Sequence, residues 1–289
     1  MRKPLETVLE SRSHRTVIGG TAPFCVIGER INPTGRRHLA EAMRGGNFSP
    51  VLADARAQVN AGAHVLDVNA GVPLADEAAL LRETALRVQE AVDVPLCLDS
   101  SVVAALEAAL VICKGKPLVN SVTAEPQRLE QVLPLVANAG AAVIGLVSGE
   151  GGVPASPEER LERARAILSA AHDFGIPAED VVIDPLATAV ATDPEAPRVT
   201  LATIRLVSRE LGLNTCLGAS NVSFGLPARA ALGASFLSMA IAAGLTSAIM
   251  NPLSPEAMNA VRAADLLLGK DAYATGWITA FRAQEAAAR

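Results

Sequence analysis

Short apolar runs rich in β-branched residues alternate along the chain with segments in which apolar residues recur every three or four positions. In chain order the runs are PFCVIG (23–28), HVLDVN (64–69), PLCLDS (95–100), PLVNSV (117–122), AAVIGLV (141–147), VVIDPL (181–186), NTCLGAS (214–220) and SAIMNP (247–252). Eight strand–helix alternations with short connections predict a closed parallel (β/α)8 TIM barrel. An open doubly wound sheet is the alternative, although no GxGxxG motif follows a strand to support dinucleotide binding.

Two of the helical segments carry their own boundary signals. PVLADARAQVNAG ends on Gly62, as expected of a helix C-cap, and SPEERLERARAILSAAHDFG begins with Ser156, Pro157 and acidic residues. The longest connection, GERINPTGRRHLAEAMRGGNFSP (28–50), predicts a turn and a short helix before the main one. Residues 230–250 are almost uncharged but contain several Gly, Ser and Thr, which favours a buried helix followed by a strand over a membrane span.

The N-terminal residues 1–22 are charged throughout and lack a continuous apolar run, so they predict a surface arm rather than a secretory signal. Residues 23–289 then form the barrel. Half of all residues are hydrophobic but only 3% are aromatic, which predicts an aliphatic core with strands buried on both faces. One domain is expected from this length and pattern.

Charge and cysteine usage restrict the possible partners. A net charge of −5 and the absence of a Lys/Arg run argue against a nucleic-acid surface. The four cysteines, Cys25, Cys97, Cys113 and Cys216, are scattered, so they predict neither a disulfide framework nor a metal site. We therefore expect a protein of the reducing cytoplasm that binds no metal of its own.

Polar residues end seven of the eight predicted strands, and the carboxyl ends of barrel strands form the active face. They are Glu29 with Asn32, Asp67 with Asn69, Asp99 with Ser100, Asn120, Asp184, Ser220 with Asn221, and Asn251. Taken singly, each such residue predicts a helix cap or a turn, and Ser100 and Asn251 fit that interpretation. Their convergence on one mouth predicts a binding site, because buried polar groups need partners.

The residue types at this mouth indicate the ligand. Carboxylates and amides without Lys, His or Cys favour a neutral, flat ligand rich in N–H donors over an anion. A carboxylate accepts two parallel hydrogen bonds from an amino group and an adjacent ring N–H, so the set suits a pterin or purine-like edge. A metal site at Asp67 and Asp99 is a weaker interpretation, and the four histidines have no spacing that supports a catalytic relay.

Six motifs occur in order at successive strand ends: GERINPTG, LDVNAG, CLDS, VNS, IDP and SNVSFGLPAR. They resemble the pterin-binding methyltransferases, that is, methyltetrahydrofolate:corrinoid protein methyltransferases and the folate module of cobalamin-dependent methionine synthase. The resemblance covers about residues 24–282. It implies that the methyl donor is 5-methyltetrahydrofolate and that the acceptor is the cobalamin of a separate corrinoid protein, with the reverse direction also possible. Family precedent further implies a homodimer.

The resemblance also implies roles for individual residues. Asp184 would accept from the pterin N3–H and 2-amino groups, Asn120 would bind the N1 side, and Asp99 would bind near N8. Asn221 matches the asparagine near N5, which carries the methyl group, so Asn221 and Asp99 are the expected catalytic residues. The other expected substrate-binding residues are Asp67, Asn69, Gly218, Ser220, Ile249 and Arg229, the last either at the folate tail or in a loop contact.

Two alternatives remain open at this point. Dihydropteroate synthase shares the barrel and the Asp/Asn set, but that family typically has N-x-T-P-D-S-F after strand one and Ser-Arg-Lys at strand seven. Here the corresponding stretches are INPTGRRH and GASNVS, and the missing Lys counts against release of an anionic leaving group. The other alternative is a non-catalytic pterin-binding protein, which loss of Asn221 would have favoured.

Overall fold

Ten strands are present in the computed structural model, which describes residues 5–287. The first two, β1 (Glu6–Glu10) and β2 (Arg15–Gly19), form an antiparallel pair. The next eight, all parallel, close into a barrel. They are β3 (Cys25–Ile31), β4 (Val65–Asn69), β5 (Leu96–Asp99), β6 (Leu118–Thr123), β7 (Ala142–Leu146), β8 (Val181–Asp184), β9 (Asn214–Gly218) and β10 (Ser247–Met250). Because β10 pairs with both β9 and β3, the predicted TIM barrel is confirmed and the open sheet is wrong.

Helices follow the barrel strands in the predicted alternation. They are α1 (Arg37–Arg44), α2 (Ser49–Asn60), α3 (Glu77–Ala91), α4 (Val103–Leu110), α5 (Pro126–Ala139), α6 (Pro157–Asp173), α7 (Ala196–Leu206), α8 (Arg229–Ala243), α9 (Pro255–Leu267) and α10 (Thr275–Ala287). The short helix predicted in the first connection is α1. The stretch 230–250 forms α8 and β10, and none of the helices described is long and apolar enough to cross a membrane.

The predicted helix boundaries have a local physical basis. At the start of α6, the Ser156 hydroxyl accepts from the Glu159 backbone N–H, and the Glu159 carboxylate accepts from the Ser156 N–H, both at 3.2 Å. This reciprocal capping box satisfies two N–H groups that have no partner within the helix. After α2, Gly62 has a φ of +103°, a conformation in which a side chain is disfavoured.

Among the described residues the core consists of three clusters, which are mainly aliphatic as predicted. Two of them lie between strands and helices, and the third lies inside the barrel, where it contains Cys25, Ile27, Val65, Cys97, Leu118, Ile144, Val182 and Cys216. All four cysteines are free, and burial raises the pKa of the Cys25 thiol to about 12. Burial also raises the pKa of the other two thiols inside the barrel, Cys97 and Cys216, well above the usual range, so all three are protonated at neutral pH.

The N-terminal segment differs from the surface arm that its charges suggest. The β1–β2 hairpin covers the amino-terminal end of the barrel, where Leu9 and Ile18 are fully buried in the interior core. The Asn214 amide, at the start of β9, donates to Leu5 O at 3.2 Å, to Thr7 Oγ1 at 3.0 Å and to Ile18 O at 2.9 Å. With this end covered, the opposite end is the open mouth of the barrel. A domain boundary after residue 22 stays a prediction.

Candidate active site

Strand register brings the predicted polar residues together at the mouth of the barrel. Asn69, Asp99 and Asn120 are direct neighbours on β4, β5 and β6. Asp67 lies two residues before Asn69, and residues two apart on a strand face the same side. Asp184 is the last residue of β8, and Gly218 on β9 pairs with Ile249 on β10. The barrel thus places the predicted binding residues on strands around one opening.

Two carboxylate–amide pairs organise one side of this mouth. Asn120 Nδ2 donates to Asp67 Oδ1 at 3.1 Å, and Asn69 Nδ2 donates to Asp99 Oδ2 at 2.9 Å. Asn69 Oδ1 in turn accepts from the Gly71 N–H at 2.9 Å. Each pair determines the orientation of its side-chain amide, because the NH2 group must face the carboxylate. Within residues 5–287 no protein donor bonds to Asn120 Oδ1, so this oxygen remains as an acceptor for a ligand.

Low solvent access shapes the electrostatics of these acids. Burial raises the pKa of Asp67 well above its usual range, and the nearby negative charge of Asp99 raises it further. Hydrogen bonds from Asn120 and from the Cys97 thiol oppose this rise in the Asp67 pKa. Burial also raises the pKa of Asp99, against the hydrogen bond from Asn69. A ligand that brings N–H donors and no negative charge of its own would stabilise the ionised form of such buried acids.

Asp184 stands on the other side of the mouth. Burial raises its pKa to about 7, although the Leu186 backbone N–H and the Arg160 guanidinium both oppose the rise. The Leu186 N–H donates to Asp184 Oδ1 at 2.8 Å. The carboxylate therefore has one oxygen engaged by the protein and changes charge close to neutral pH.

Asn221 and Gly218 form the rim above β9. Asn221 begins a single 3-10 turn, Asn221–Ser223, three residues after the end of β9, and this residue is exposed. A Cβ added at Gly218 would lie only 2.8 Å from Asn221 Nδ2, so the amide lies over the glycine. Ala219 is buried and Ser220 is exposed. Small residues here leave room for a flat ring beside a polar amide.

A cavity of about 250 Å³ adjoins this rim. Its polar lining is Glu29, Ser220, Ser223, Arg229, Asn251 and Ser254. Arg229 Nη2 donates to Ser220 O at 3.2 Å, and the guanidinium lies 5.4 Å from the centre of the Phe224 ring. Burial raises the pKa of Glu29, while Arg30 and Arg229 oppose the rise. Arg229 thus contacts the predicted rim, where it could meet the extended part of a ligand.

Some polar residues at strand ends serve the backbone instead. Asn251 Oδ1 accepts from the Leu253 N–H at 3.1 Å, and Ser100 Oγ accepts from the Val102 N–H at 2.9 Å. Asn32 Oδ1 accepts from the Thr34 N–H at 2.9 Å. The turn interpretation is therefore confirmed for Ser100 and Asn251. His64 lies at the opposite end of the barrel, where its Nδ1 accepts from the Val26 N–H at 3.0 Å.

Three residues next to the site were missed from the sequence. They are Glu77 at the start of α3, which accepts from the Ser100 hydroxyl, Cys97, which bonds to Asp67, and Arg160 of α6. Glu77 and Cys97 give no local signal. Arg160 gives a weak one, because an arginine in the first turn opposes the helix dipole. Within residues 5–287 no group of three or more His, Cys, Asp or Glu side chains is arranged to hold a metal ion.

Comparisons with known proteins agree with this geometry. Residues 28–251 match the family described as pterin binding enzyme. The chain is 31% identical over 265 residues to the methylcorrinoid:tetrahydrofolate methyltransferase of Eubacterium limosum, a match that covers 89% of this chain and 96% of that protein. It is 34% identical over 253 residues to the methionine synthase of Mycobacterium tuberculosis (strain ATCC 25618 / H37Rv), which covers 83% of this chain but 21% of the much longer synthase.

Solved structures with the same fold include dihydropteroate synthases. The Yersinia pestis enzyme superimposes with a TM-score of 0.66 at 17% sequence identity, over 91% of this chain and 99% of that one. The Xanthomonas albilineans enzyme in complex with 7,8-dihydropteroate superimposes with a TM-score of 0.67 at 19% identity, over 91% and 98% of the two chains. At such identities the likeness concerns the fold alone.

Proposed function

The chain belongs to the pterin-binding enzyme family, and from this membership and the site geometry we propose that it transfers a methyl group between 5-methyltetrahydrofolate and a corrinoid protein. The observation that carries the proposal is the arrangement of the mouth: two Asp–Asn pairs and Asp184 surround an opening with an exposed amide over Gly218. The names of the Eubacterium and Mycobacterium relatives support the same reaction.

The donors of a tetrahydropterin match the acceptors of this mouth. Asp184 accepts from the N3–H and 2-amino groups, and Asp99 accepts from the N8–H. The N1 side lies toward Asn120, while Asp67 and Asn69 hold their partners in place through the Asn120–Asp67 and Asn69–Asp99 hydrogen bonds. With that edge held, the other edge of the ring, which carries N5 and its methyl group, reaches the rim at Asn221. The walls around the ring are completed by Ser220 and Ile249, and the folate tail is contacted by Arg229.

The reaction requires help at N5. The N5–CH3 bond breaks, its electron pair stays on N5, and the methyl group bonds to the cobalt through the electron pair of the Co(I) acceptor. A neutral tertiary amine leaves poorly, so N5 needs a proton or a hydrogen bond as the bond breaks. Asn221 is the polar side chain at this position, and it stabilises the protonated N5. The remaining task of the protein is to orient the methyl group and keep its face open.

An assay of methyl transfer tests the proposal directly. The purified protein is mixed without oxygen with 5-methyltetrahydrofolate and cob(I)alamin, and the loss of the cob(I)alamin absorbance is followed; the reverse reaction uses methylcobalamin and tetrahydrofolate. Turnover in either direction is the expected result. Tight folate binding without turnover in both directions would favour the non-catalytic pterin-binding alternative. In a separate mixture with a dihydropterin pyrophosphate and p-aminobenzoate, formation of dihydropteroate and release of pyrophosphate would favour the synthase.

Gly218→Ala is expected to slow methyl transfer by about tenfold or more, because the new Cβ displaces the amide above it. The Asn221 side chain can rotate away, so folding should be nearly unaffected. Single-turnover rates and thermal unfolding measured together check this. Ala219→Gly, which changes the neighbouring residue without crowding the amide, is the matched control. An unchanged single-turnover rate in Gly218→Ala would contradict the placement of Asn221.

Affinity for 5-methyltetrahydrofolate is expected to depend on pH through Asp184. Its pKa is about 7, so the acceptor carboxylate is present above this pH and is lost as the pH falls below it. The Kd should therefore be constant above about pH 7 and rise up to about tenfold per pH unit below it. Titration calorimetry across this range measures the profile. Asp184→Asn should remove this pH dependence, which distinguishes the titration of Asp184 from that of Asp67 or Asp99.

Three further properties stay predictions: a homodimer, a cytoplasmic location, and a barrel domain that begins after residue 22. Light scattering on the purified protein measures the first, and truncation before residue 23 tests the last. The identity of the corrinoid partner follows from co-purification.

A further inference from the structure

Arg160 is a buried arginine beneath the loop that follows β8. Only 3% of its surface is exposed. Its Nη1 donates to Pro185 O at 2.7 Å and to Leu186 O at 2.8 Å, and its Nε donates to Pro154 O at 3.0 Å. Among the described residues no carboxylate lies within salt-bridge distance of this guanidinium. Burying a cation without a paired anion costs free energy, and hydrogen bonds to backbone carbonyls offset part of that cost.

The loop held by Arg160 has an unusual backbone. Leu186 has a φ of +60°, a left-handed conformation that is unfavourable for a leucine. Its carbonyl accepts a second hydrogen bond, at 2.8 Å, from the Thr200 hydroxyl of α7. Two helices therefore fix the orientation of this peptide from below.

This fixed backbone determines how Asp184 is presented. The Leu186 N–H belongs to the same peptide as Pro185 O, which accepts from Arg160, and it donates to Asp184 Oδ1. The rotation of the carboxylate therefore follows the orientation of a peptide that Arg160 holds, while Arg160 and Thr200 together hold the next peptide through Leu186 O. One carboxylate oxygen is engaged by the protein, and Oδ2 is kept for a ligand. Rotation of the Pro185–Leu186 peptide would remove this hydrogen bond and let the carboxylate turn.

The charged and titratable groups around Asp184 are few. Arg160 faces it from α6, and the Cys216 thiol faces it from β9. Burial raises the pKa of Cys216 well above its usual range, so that thiol is neutral. Asp193, on the loop before α7, acts on Arg160 rather than on Asp184. Arg160 is thus the one cation found to act on Asp184 within residues 5–287.

We propose that Arg160 is a positioning residue for ligand binding, which fixes the Asp184 carboxylate through the Pro185 and Leu186 carbonyls. The positive charge of Arg160 also favours the ionised carboxylate. The inference rests on the proposed role of Asp184 as the anchor of the pterin edge. It predicts that a residue outside the mouth controls both the affinity for 5-methyltetrahydrofolate and its pH dependence.

Two variants separate the two effects. Arg160→Gln removes the charge but keeps an N–H donor for a carbonyl, and Arg160→Lys keeps the charge but loses the planar fork. Arg165→Gln, on the exposed side of the same helix, is the matched control. The Kd for 5-methyltetrahydrofolate is measured by calorimetry between about pH 5.5 and 9.5, and near-ultraviolet circular dichroism checks that each variant is folded.

In Arg160→Gln the midpoint of the pH profile should move up by about one pH unit, because the opposite charge that favours the carboxylate is gone. In Arg160→Lys the midpoint should stay near pH 7 while the Kd at high pH weakens by about tenfold. A residue needed only for folding would leave both the midpoint and the high-pH Kd of the folded protein unchanged. An unmoved midpoint in Arg160→Gln, or a wild-type Kd at all pH values in Arg160→Lys, would overturn the inference.

Thr200→Val provides the same test if either arginine variant is unfolded. It removes the second hydrogen bond to Leu186 O, so it should weaken the high-pH Kd and leave the midpoint unchanged; wild-type affinity in this variant overturns the positioning role. Asp184→Asn separates the role of Asp184 from that of Arg160. A wild-type Kd in Asp184→Asn contradicts the proposed pterin anchor itself. If Asp184→Asn binds 5-methyltetrahydrofolate more weakly while both Arg160 variants keep the wild-type Kd and pH midpoint, only the role of Arg160 is contradicted.

Discussion

Asn221→Ala is expected to slow methyl transfer by about 10²- to 10⁴-fold, the usual contribution of a positioned proton-transfer or hydrogen-bonding group. The reason is that N5 must carry positive charge as its bond to the methyl group breaks, and the Asn221 amide is the exposed polar group that lies over Gly218. The ring edge held by Asp184, Asn120 and Asp99 is unaffected. The Kd for 5-methyltetrahydrofolate should therefore change by less than about threefold.

Single-turnover kinetics measure the transfer step apart from product release. Asn251→Ala is the matched control, because Asn251 ends the neighbouring strand but its side chain accepts from the Leu253 N–H. That control should keep a near-wild-type transfer rate. If Asn221→Ala transferred the methyl group at the wild-type rate, Asn221 would have no role at N5.

Asp184→Asn should weaken binding of 5-methyltetrahydrofolate by about 10- to 100-fold, the range expected for hydrogen bonds to a charged acceptor. The amide can still accept from the Leu186 N–H through Oδ1, so the loop keeps one of its contacts. The NH2 group, however, meets the 2-amino and N3–H donors of the pterin, and two donors repel. Because the contact exists before the methyl group moves, the rate at saturating substrate should fall by less than about tenfold.

Calorimetry gives the Kd, and turnover at saturating folate gives the rate. Asp193→Asn is the matched control, since its exposed carboxylate accepts from the Glu195 N–H on the loop before α7. That variant should bind folate like the wild type. An Asp184→Asn protein with an unchanged Kd would remove Asp184 from the pterin edge.

Local patterns in the sequence were sufficient for most of the fold. Each barrel strand is a short apolar run, seven of the eight predicted runs end with a polar residue, and Ser156 with Glu159 marks the start of α6 without any tertiary information. The N-terminal hairpin was missed because each of its strands has only two apolar residues, Val8 and Leu9 in one and Val17 and Ile18 in the other, and these are adjacent rather than alternating with polar ones. Burial alternates where hydrophobicity does not: Thr7 and Leu9 in β1, and Thr16 and Ile18 in β2, face the interior.

The candidate site was predicted only in part, and the missed residues have a common cause. Arg160 and Thr200 belong to ordinary helical segments, and their role appears only where both reach the carbonyl of Leu186. Cys97 was interpreted as an isolated thiol, but β5 lies beside β4, which brings Cys97 next to Asp67. Contacts between elements far apart in the chain have no periodic signature.

The sequence by itself determined the closed barrel, the order of its strands and the collection of acids and amides at one end of it. These follow from local alternation and from the rule that parallel strands end at one face. Tertiary structure alone decided that Asn120 pairs with Asp67 and that Asn69 pairs with Asp99, since strand register sets which side chains meet. It also decided the Asp184 pKa of about 7, because the exclusion of water depends on every element that packs around the carboxylate.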